Sequence, residues 1–158
     1  MANERHAEIV GGGFAGFAAA CALAQRGWRV RVHERSSVLR TAGAGIYIYE
    51  NGLRVLEALG AYADAVAGAN IAHTREVRDD RNHVLSMHRW DTGRSRVYSI
   101  VRQTVINALA AAATRAGAEI VTGSAAQAAT SDGELVLADG TRLPADLIVA
   151  ADGVNSLV

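Results

Sequence analysis

Gly11-Gly12-Gly13-Phe14-Ala15-Gly16 and the acid Glu34 are the residues whose types and spacing best fit a chemical task. The glycines stand in the order G-x-G-x-x-G, and Glu34 follows 23 residues after Gly11. This is the dinucleotide-binding fingerprint when a strand precedes it and a helix follows. Gly11 allows a tight turn, and Gly13, lacking a Cβ, lets a pyrophosphate approach the backbone. Gly16 lets the helix lie close on the sheet. The helix start offers unpaired N–H groups and a partial positive charge to a phosphate, and Phe14 and Ala15, just before it, are counted with the glycines as cofactor-binding residues. Glu34 can accept hydrogen bonds from both hydroxyls of an adenosine ribose. An acid there repels a 2′-phosphate, which disfavours NADP as the ligand of this site.

The elements needed to position these residues are legible around them. Glu8-Ile9-Val10 is a short apolar strand entering the glycines. Phe17 to Arg26 is helix-compatible and stops at Gly27, and Arg29 to His33 alternates polar and apolar before Glu34. Together they make one βαβ unit. The expected fold class is α/β: a Rossmann-like sheet binding FAD or NAD(P), with an inserted antiparallel β segment.

Composition narrows the function classes. The 158 residues suffice for one domain with a real core, half of them are hydrophobic, and the formal net charge is zero. Nothing resembles the electrostatic footprint of a nucleic-acid binder. No apolar run approaches the ~20 residues needed to span a bilayer. The polar start, Met1 to His6, leads straight into the first strand and does not read as a signal peptide. The single cysteine, Cys21, excludes an internal disulfide and fits a reducing compartment, so a cytoplasmic location is expected. It is read as a small core residue. All 16 basic residues are arginine, without functional message. The histidines lack metal-ligand spacing, and no metal is assigned.

Further along, 36–46 reads as a glycine-containing loop, followed by a helix over 50–59 with a stop at Gly60 and a short helix over 62–67. From Ile71 to Val101 the period becomes two, with breaks at Asp79-Asp80 and Asp91-Thr92-Gly93, predicting strands joined by turns. Gln103 to Arg115 is helical with Gly117 as its stop, and Glu119 to Thr122 is a strand entering the nucleotide sheet. Strands follow over 125–130, 134–138 and 141–143, with Asp139-Gly140 as a hairpin turn. Asp146 to Ala150 is a buried strand, with Pro144 just before it. Tyr47 and Tyr49 are read as packing residues, and the arginines of 75–96 as a solvated strand face.

Four motifs occur in an order that carries a family resemblance. They are Gly11 to Gly16 with Glu34-Arg35, then Arg40 with Gly43-Ala44-Gly45-Ile46, then Arg102-x-x-Val105-x-x-x-Leu109, and Ala151-Asp152-Gly153-x-x-Ser156. The sequence resembles the N-terminal part of the FAD-dependent aromatic hydroxylases, the single-component flavoprotein monooxygenases of the p-hydroxybenzoate hydroxylase type. Within them it is most similar to the 2-methyl-3-hydroxypyridine-5-carboxylate oxygenase group. One departure is Ala150, where the family's G-A-D-G motif has its first glycine.

The resemblance implies roles. Glu34 binds the adenosine ribose of FAD, and Arg35 lies along the adenine. Arg40 and the loop containing Gly45 and Ile46 flank the pyrophosphate, ribityl chain or flavin ring. Arg102 reaches the ribityl-pyrophosphate region, and Asp152 serves FAD binding and the encounter with NAD(P)H. It further implies a division into 1–70 (FAD-binding βαβ and flavin loop), 71–101 (a β segment of the substrate half) and 102–158 (a return to the FAD domain). The implied reaction uses NADH or NADPH and O₂ to hydroxylate a small aromatic or N-heteroaromatic acid through a C4a-hydroperoxide. The family pattern continues beyond Val158, so a truncated, N-terminal portion is expected, with the catalytic residues unassigned. The alternatives are another FAD-dependent oxidoreductase of this fold, or a non-catalytic nucleotide-binding fragment. The absence of lysine counts against a halogenase. Oligomeric state is not legible.

Overall fold

The computed structural model describes residues 5–39, 43–91 and 93–158. In chain order it runs β1 (His6–Val10), α1 (Phe14–Ala24), β2 (Arg29–Glu34), β3 (Gly45–Tyr49), α2 (Glu50–Ala58) and α3 (Tyr62–Val66). Four strands follow: β4 (Asn70–Ile71), β5 (Thr74–Arg78), β6 (Val84–Arg89) and β7 (Val97–Val101). After α4 (Arg102–Arg115) come β8 (Glu119–Thr122), β9 (Ala126–Ala129), β10 (Glu134–Leu137), β11 (Arg142–Pro144) and β12 (Leu147–Ala150).

Four strands form a parallel sheet in the order β12-β1-β2-β8. Parallel strands are covered on both faces and read as near-continuous apolar runs, which β1 and β12 do. On one face Ala7 and Ile9 of β1 and Val30 and Val32 of β2 meet Phe17, Ala20 and Cys21 of α1 and Val105, Ile106 and Leu109 of α4. The alanine-rich helices approach one another closely, and Leu53 and Leu56 of α2 complete the core. Ile9 and Phe17 are fully buried, each contributing about 1.5–3 kcal/mol by leaving water.

The predicted helix stops operate as such. Gly27, Gly60 and Gly117 all have positive φ. Trp28, Ala61 and Ala118, the residues after them, donate N–H bonds back to Leu23, Leu56 and Ala113, the pattern of a Schellman cap.

Three sheets are antiparallel: β3-β7-β4, β11-β10-β9 and the β5–β6 hairpin. Asp139-Gly140 turns between β10 and β11 as expected, with Thr141 N–H bonded to Asp139 Oδ1 at 2.9 Å. Other expectations are corrected. Helix α1 starts at Phe14 and not Phe17, because Gly13 already accepts the first helical bond, from Phe17 N at 3.0 Å. The end of the expected loop is strand β3, paired along its whole length with β7. Its outward face carries Tyr47 and Tyr49, which are 63% and 46% exposed and so do not pack into the core. Arg96 is no solvated arginine: it pairs with Glu50 at 2.9 Å and Glu57 at 3.0 Å, tying β7 to α2. Pro144 lies before β12 as expected, and it is the last residue of the edge strand β11, where its missing N–H breaks no inner ladder. No helix among the described residues is long and apolar enough to cross a membrane.

Candidate functional site

The four parallel strands all end at one place. Gly11 follows β1, Ser124 lies just past β8, Ala151 follows β12, and Glu34 closes β2; all four line a cleft of about 600 Å³. The ends are laced together: Gly11 N–H bonds to His33 O at 2.8 Å, Ala151 N–H to Val10 O at 2.8 Å and Ser124 N–H to Glu34 O at 2.9 Å. Open α/β sheets bind ligands in such a crevice beyond the carboxyl ends of their strands.

The glycines divide the work. Gly11 has φ +101°, and a side chain on it would run into the Ala151 carbonyl. A Cβ on Gly16 would strike the Gly11 carbonyl, so this glycine lets α1 settle on the loop. A Cβ on Gly13 meets nothing within 4 Å among the described residues and would project into open space beside the cleft. Gly12, to which the sequence reading gave no role, also has one: its missing Cβ leaves 3.0 Å to Glu34 Oε2 and 3.2 Å to the Phe17 ring. Helix α1 has no acidic residue in its first turn and no side-chain cap, so the N–H groups at its start face the cleft uncompensated.

Glu34 is held rigidly. Its Oε2 accepts from Gly12 N at 2.8 Å and its Oε1 from Ser36 N at 2.8 Å. A carboxylate has about four lone-pair sites, so capacity for two ribose hydroxyls is left. Arg35 and Asp152 line the cleft too. Asp152 accepts from Ser156 Oγ at 2.7 Å and Leu157 N at 3.0 Å. Burial works to raise its carboxyl, but these bonds and the nearby Arg35 charge outweigh it and hold the group below the usual carboxylate range. Arg102 opens α4 on the cleft wall, its guanidinium 5.1 Å from the centre of the Phe14 ring. Its Cδ lies 3.3 Å from where a Cβ on Gly43 would be, so Gly43, α1 and α4 meet at this arginine.

The cleft thus gathers Gly11, Gly13, Phe14, Glu34, Arg35, Arg102 and Asp152 from the predicted set. Gly16 stands behind it, and Ala15 is exposed on the first turn of α1 without lining it. Gly45 and Ile46 lie in β3, opposite Val101 and Ile100, and not on the cleft wall. Arg40 lies outside the described residues.

Two features escaped the sequence reading. The wall formed by Ser124, Ala126 and Gln127 comes from the segment after β8. Beneath it Glu8 and His33 are almost wholly buried, at 0% and 2% exposure. His33 Nε2 lies 2.7 Å from Glu8 Oε2, and His33 Nδ1 lies 2.7 Å from Ser124 Oγ. Among the described residues Glu8 Oε1 has no hydrogen-bond partner, although His6 Nε2 at 3.2 Å and Arg31 Nη1 at 3.8 Å are within ion-pair range. A carboxylate amid the apolar run Ala7-Glu8-Ile9-Val10 was the available signal, since a parallel strand leaves it no route to water.

Residues 4–158 match the family described as FAD binding domain. The chain belongs to this family. It is 48% identical over 159 residues to a 2-heptyl-3-hydroxy-4(1H)-quinolone synthase of Mycobacteroides abscessus, covering 99% of this chain and 42% of that protein. A 3-amino-4-hydroxybenzoate 2-monooxygenase of Streptomyces platensis is 32% identical over 173 residues, covering 98% of this chain and 41% of the other. Among solved structures, a tetrameric form of 2-methyl-3-hydroxypyridine-5-carboxylic acid oxygenase superimposes with a TM-score of 0.91 at 46% identity, covering 99% of this chain and 41% of that one. The chain therefore has the α/β architecture of that oxygenase's FAD binding domain and spans about two fifths of the length of these relatives.

Proposed function

We propose that this chain is the FAD-holding part of an NADH- or NADPH-dependent flavin monooxygenase that hydroxylates a small aromatic or N-heteroaromatic acid with O₂. The observation that carries the reading is the convergence of four strand ends on one cleft, with Gly13 open to it and Glu34 fixed at its edge. These residues fit a dinucleotide. The N–H groups at the start of α1 bind the pyrophosphate, with Gly13 leaving the space a Cβ would fill. Glu34 takes the adenosine ribose. Arg35 borders the adenine, and Arg102, braced on Phe14, faces the ribityl-pyrophosphate side. Asp152, kept anionic by Ser156 and Leu157, lines the same cleft. When bound, the flavin supplies the redox chemistry, and the protein's share is to bind, orient and shelter it.

The ring substrate is supported by the relatives, whose names specify a hydroxyquinolone, a hydroxypyridine carboxylic acid and an aminohydroxybenzoate. The residues of 71–101 are proposed as part of the substrate half, joined to the FAD domain of 1–70 and 102–158.

The test is FAD binding by the intact gene product. After incubation with FAD and gel filtration, the protein should keep the yellow absorption of an oxidised flavin. NADH or NADPH should bleach it, and an aromatic acid should then consume O₂ and gain a hydroxyl group. Glu34→Ala should weaken FAD binding about 10- to 100-fold, since hydrogen bonds to a charged group are lost. An affinity unchanged by that substitution rules out the assignment of the cleft.

A further inference from the structure

Glu8 and His33 are costly residues to keep where they are. A buried oxygen without a hydrogen bond, such as Glu8 Oε1, costs about 1–3 kcal/mol and calls for an explanation. The pair lies on the sheet face opposite Ala7 and Ile9, where Glu8 is directly across from Arg31, and His33, two residues on in β2, reaches it diagonally. The groups around the Glu8 carboxylate, from His6, Arg31 and His33, all bring nitrogen atoms towards it. With Glu8 as a carboxylate, which only accepts, the hydrogen of the 2.7 Å contact sits on His33 Nε2. A neutral imidazole with Nε2–H has a bare Nδ1, which can only accept. Beside such an imidazole the Ser124 hydroxyl, 2.7 Å away, turns its hydrogen inward onto Nδ1 and offers the cleft oxygen lone pairs.

We infer that Glu8 holds His33 as the neutral Nε2–H tautomer and through it sets the polarity of the Ser124 hydroxyl, so that this point of the cleft wall accepts a hydrogen bond from the exocyclic amine of a bound adenine. The inference rests on the nucleotide reading of the cleft. With pyrophosphate at Gly13 and ribose at Glu34, the base lies beyond Glu34, and Ser124 is the next residue there, its N–H bonded to the Glu34 carbonyl. Hypoxanthine carries a carbonyl where adenine has its amine, so it would set oxygen against oxygen. Ser124 is thus a specificity-determining residue, and Glu8 and His33 are positioning residues that act through it.

The test compares ADP with IDP by calorimetry on the apo form of the intact gene product. The original protein should prefer ADP by about tenfold. Ser124→Ala should bring that ratio towards one, with inorganic pyrophosphate binding unchanged. Glu8→Gln, whose amide can donate as well as accept, should lower the ratio while Ser124 is present and leave it unmoved in the Ser124→Ala background. A ratio indifferent to Ser124→Ala overturns the inference, as does an equal Glu8→Gln effect in both backgrounds. The nitrogen chemical shifts of His33 in the unsubstituted protein give a check free of folding effects. A protonated Nε2 with a bare Nδ1 supports the relay, and any other state overturns it. If the original protein binds neither ADP nor FAD, the nucleotide reading falls and takes the inference with it; if it binds both and the ratios do not move, the relay alone falls.

Discussion

The parallel sheet and the β5–β6 hairpin are both made of short, regular strands, yet the inner strands of one are buried and the other is almost bare. In β1 every residue after His6 is buried, and Val30 and Val32 of β2 are 2% and 0% exposed. All six residues of β6 are exposed, including Leu85 at 65% and Met87 at 48%. The ladder is sound in each: Thr74 to Val77 pair in continuous register with Arg89 to Ser86. Alternation therefore specifies a strand, but a second layer determines whether its apolar side chains stabilise anything. The helices α1 and α4 supply that layer to the sheet, and the cleft depends on it because its walls are strand ends.

The contrast can be broken by substitution. The largest effects are expected where backbone meets backbone. Gly16→Ala drives a methyl group into the Gly11 carbonyl, and Gly11→Ala strains a residue at φ +101° against Ala151. Each should cost about 3–5 kcal/mol in urea unfolding and abolish adenine-nucleotide binding. A Gly16→Ala protein as stable as the original would mean that α1 does not rest on the loop. Ile9→Ala, fully buried under α1 and α4, should cost about 3 kcal/mol in the same assay.

An acid titration sharpens the comparison at a contact of intermediate exposure, the Arg96–Glu50 pair between the start of β7 and α2. The hydrogen bonds from Arg96 hold the Glu50 carboxyl down to about 2. A carboxyl lowered in the folded state stabilises above its unfolded value of 4.5, and that contribution is lost as the pH falls through about 2. The stability gap between the original protein and Glu50→Gln should therefore be constant above pH 4.5 and close progressively between 4.5 and 2. A gap independent of pH over that range would show that the Arg96 pair contributes nothing. The smallest change belongs to the hairpin: Leu85→Ser should alter the unfolding free energy by no more than about 0.5 kcal/mol. A loss comparable to that of Ile9→Ala would mean that Leu85 is packed and that the contrast is false.

The legible parts were those governed by local chemistry. Gly27, Gly60 and Gly117 end helices because each needs a positive φ, and the Asp139-Gly140 turn declares itself for the same reason. The fingerprint and Glu34 were readable because one βαβ unit brings them together. Strand β3 was hidden because Gly43 and Gly45 look like a loop until β7, some fifty residues away, pairs with the stretch. The Glu8–His33–Ser124 contact was out of reach for a stronger reason. It depends on a diagonal register between β1 and β2, and on a serine 91 residues from its partner.

The order β12-β1-β2-β8 also sets a timetable. Strand β1 is the first part of the sheet to leave the ribosome, but its neighbour β12 arrives last, and the bond from His6 N–H to Asp146 spans 140 residues. Chains rich in such distant pairings fold slowly, because loop closure must precede the contacts that reward it. Until residues 147–150 are synthesised, β1 has one open edge and the crevice lacks its Ala151 wall. The glycine loop is thus made early, but the crevice it borders is complete only once β12 has paired with β1.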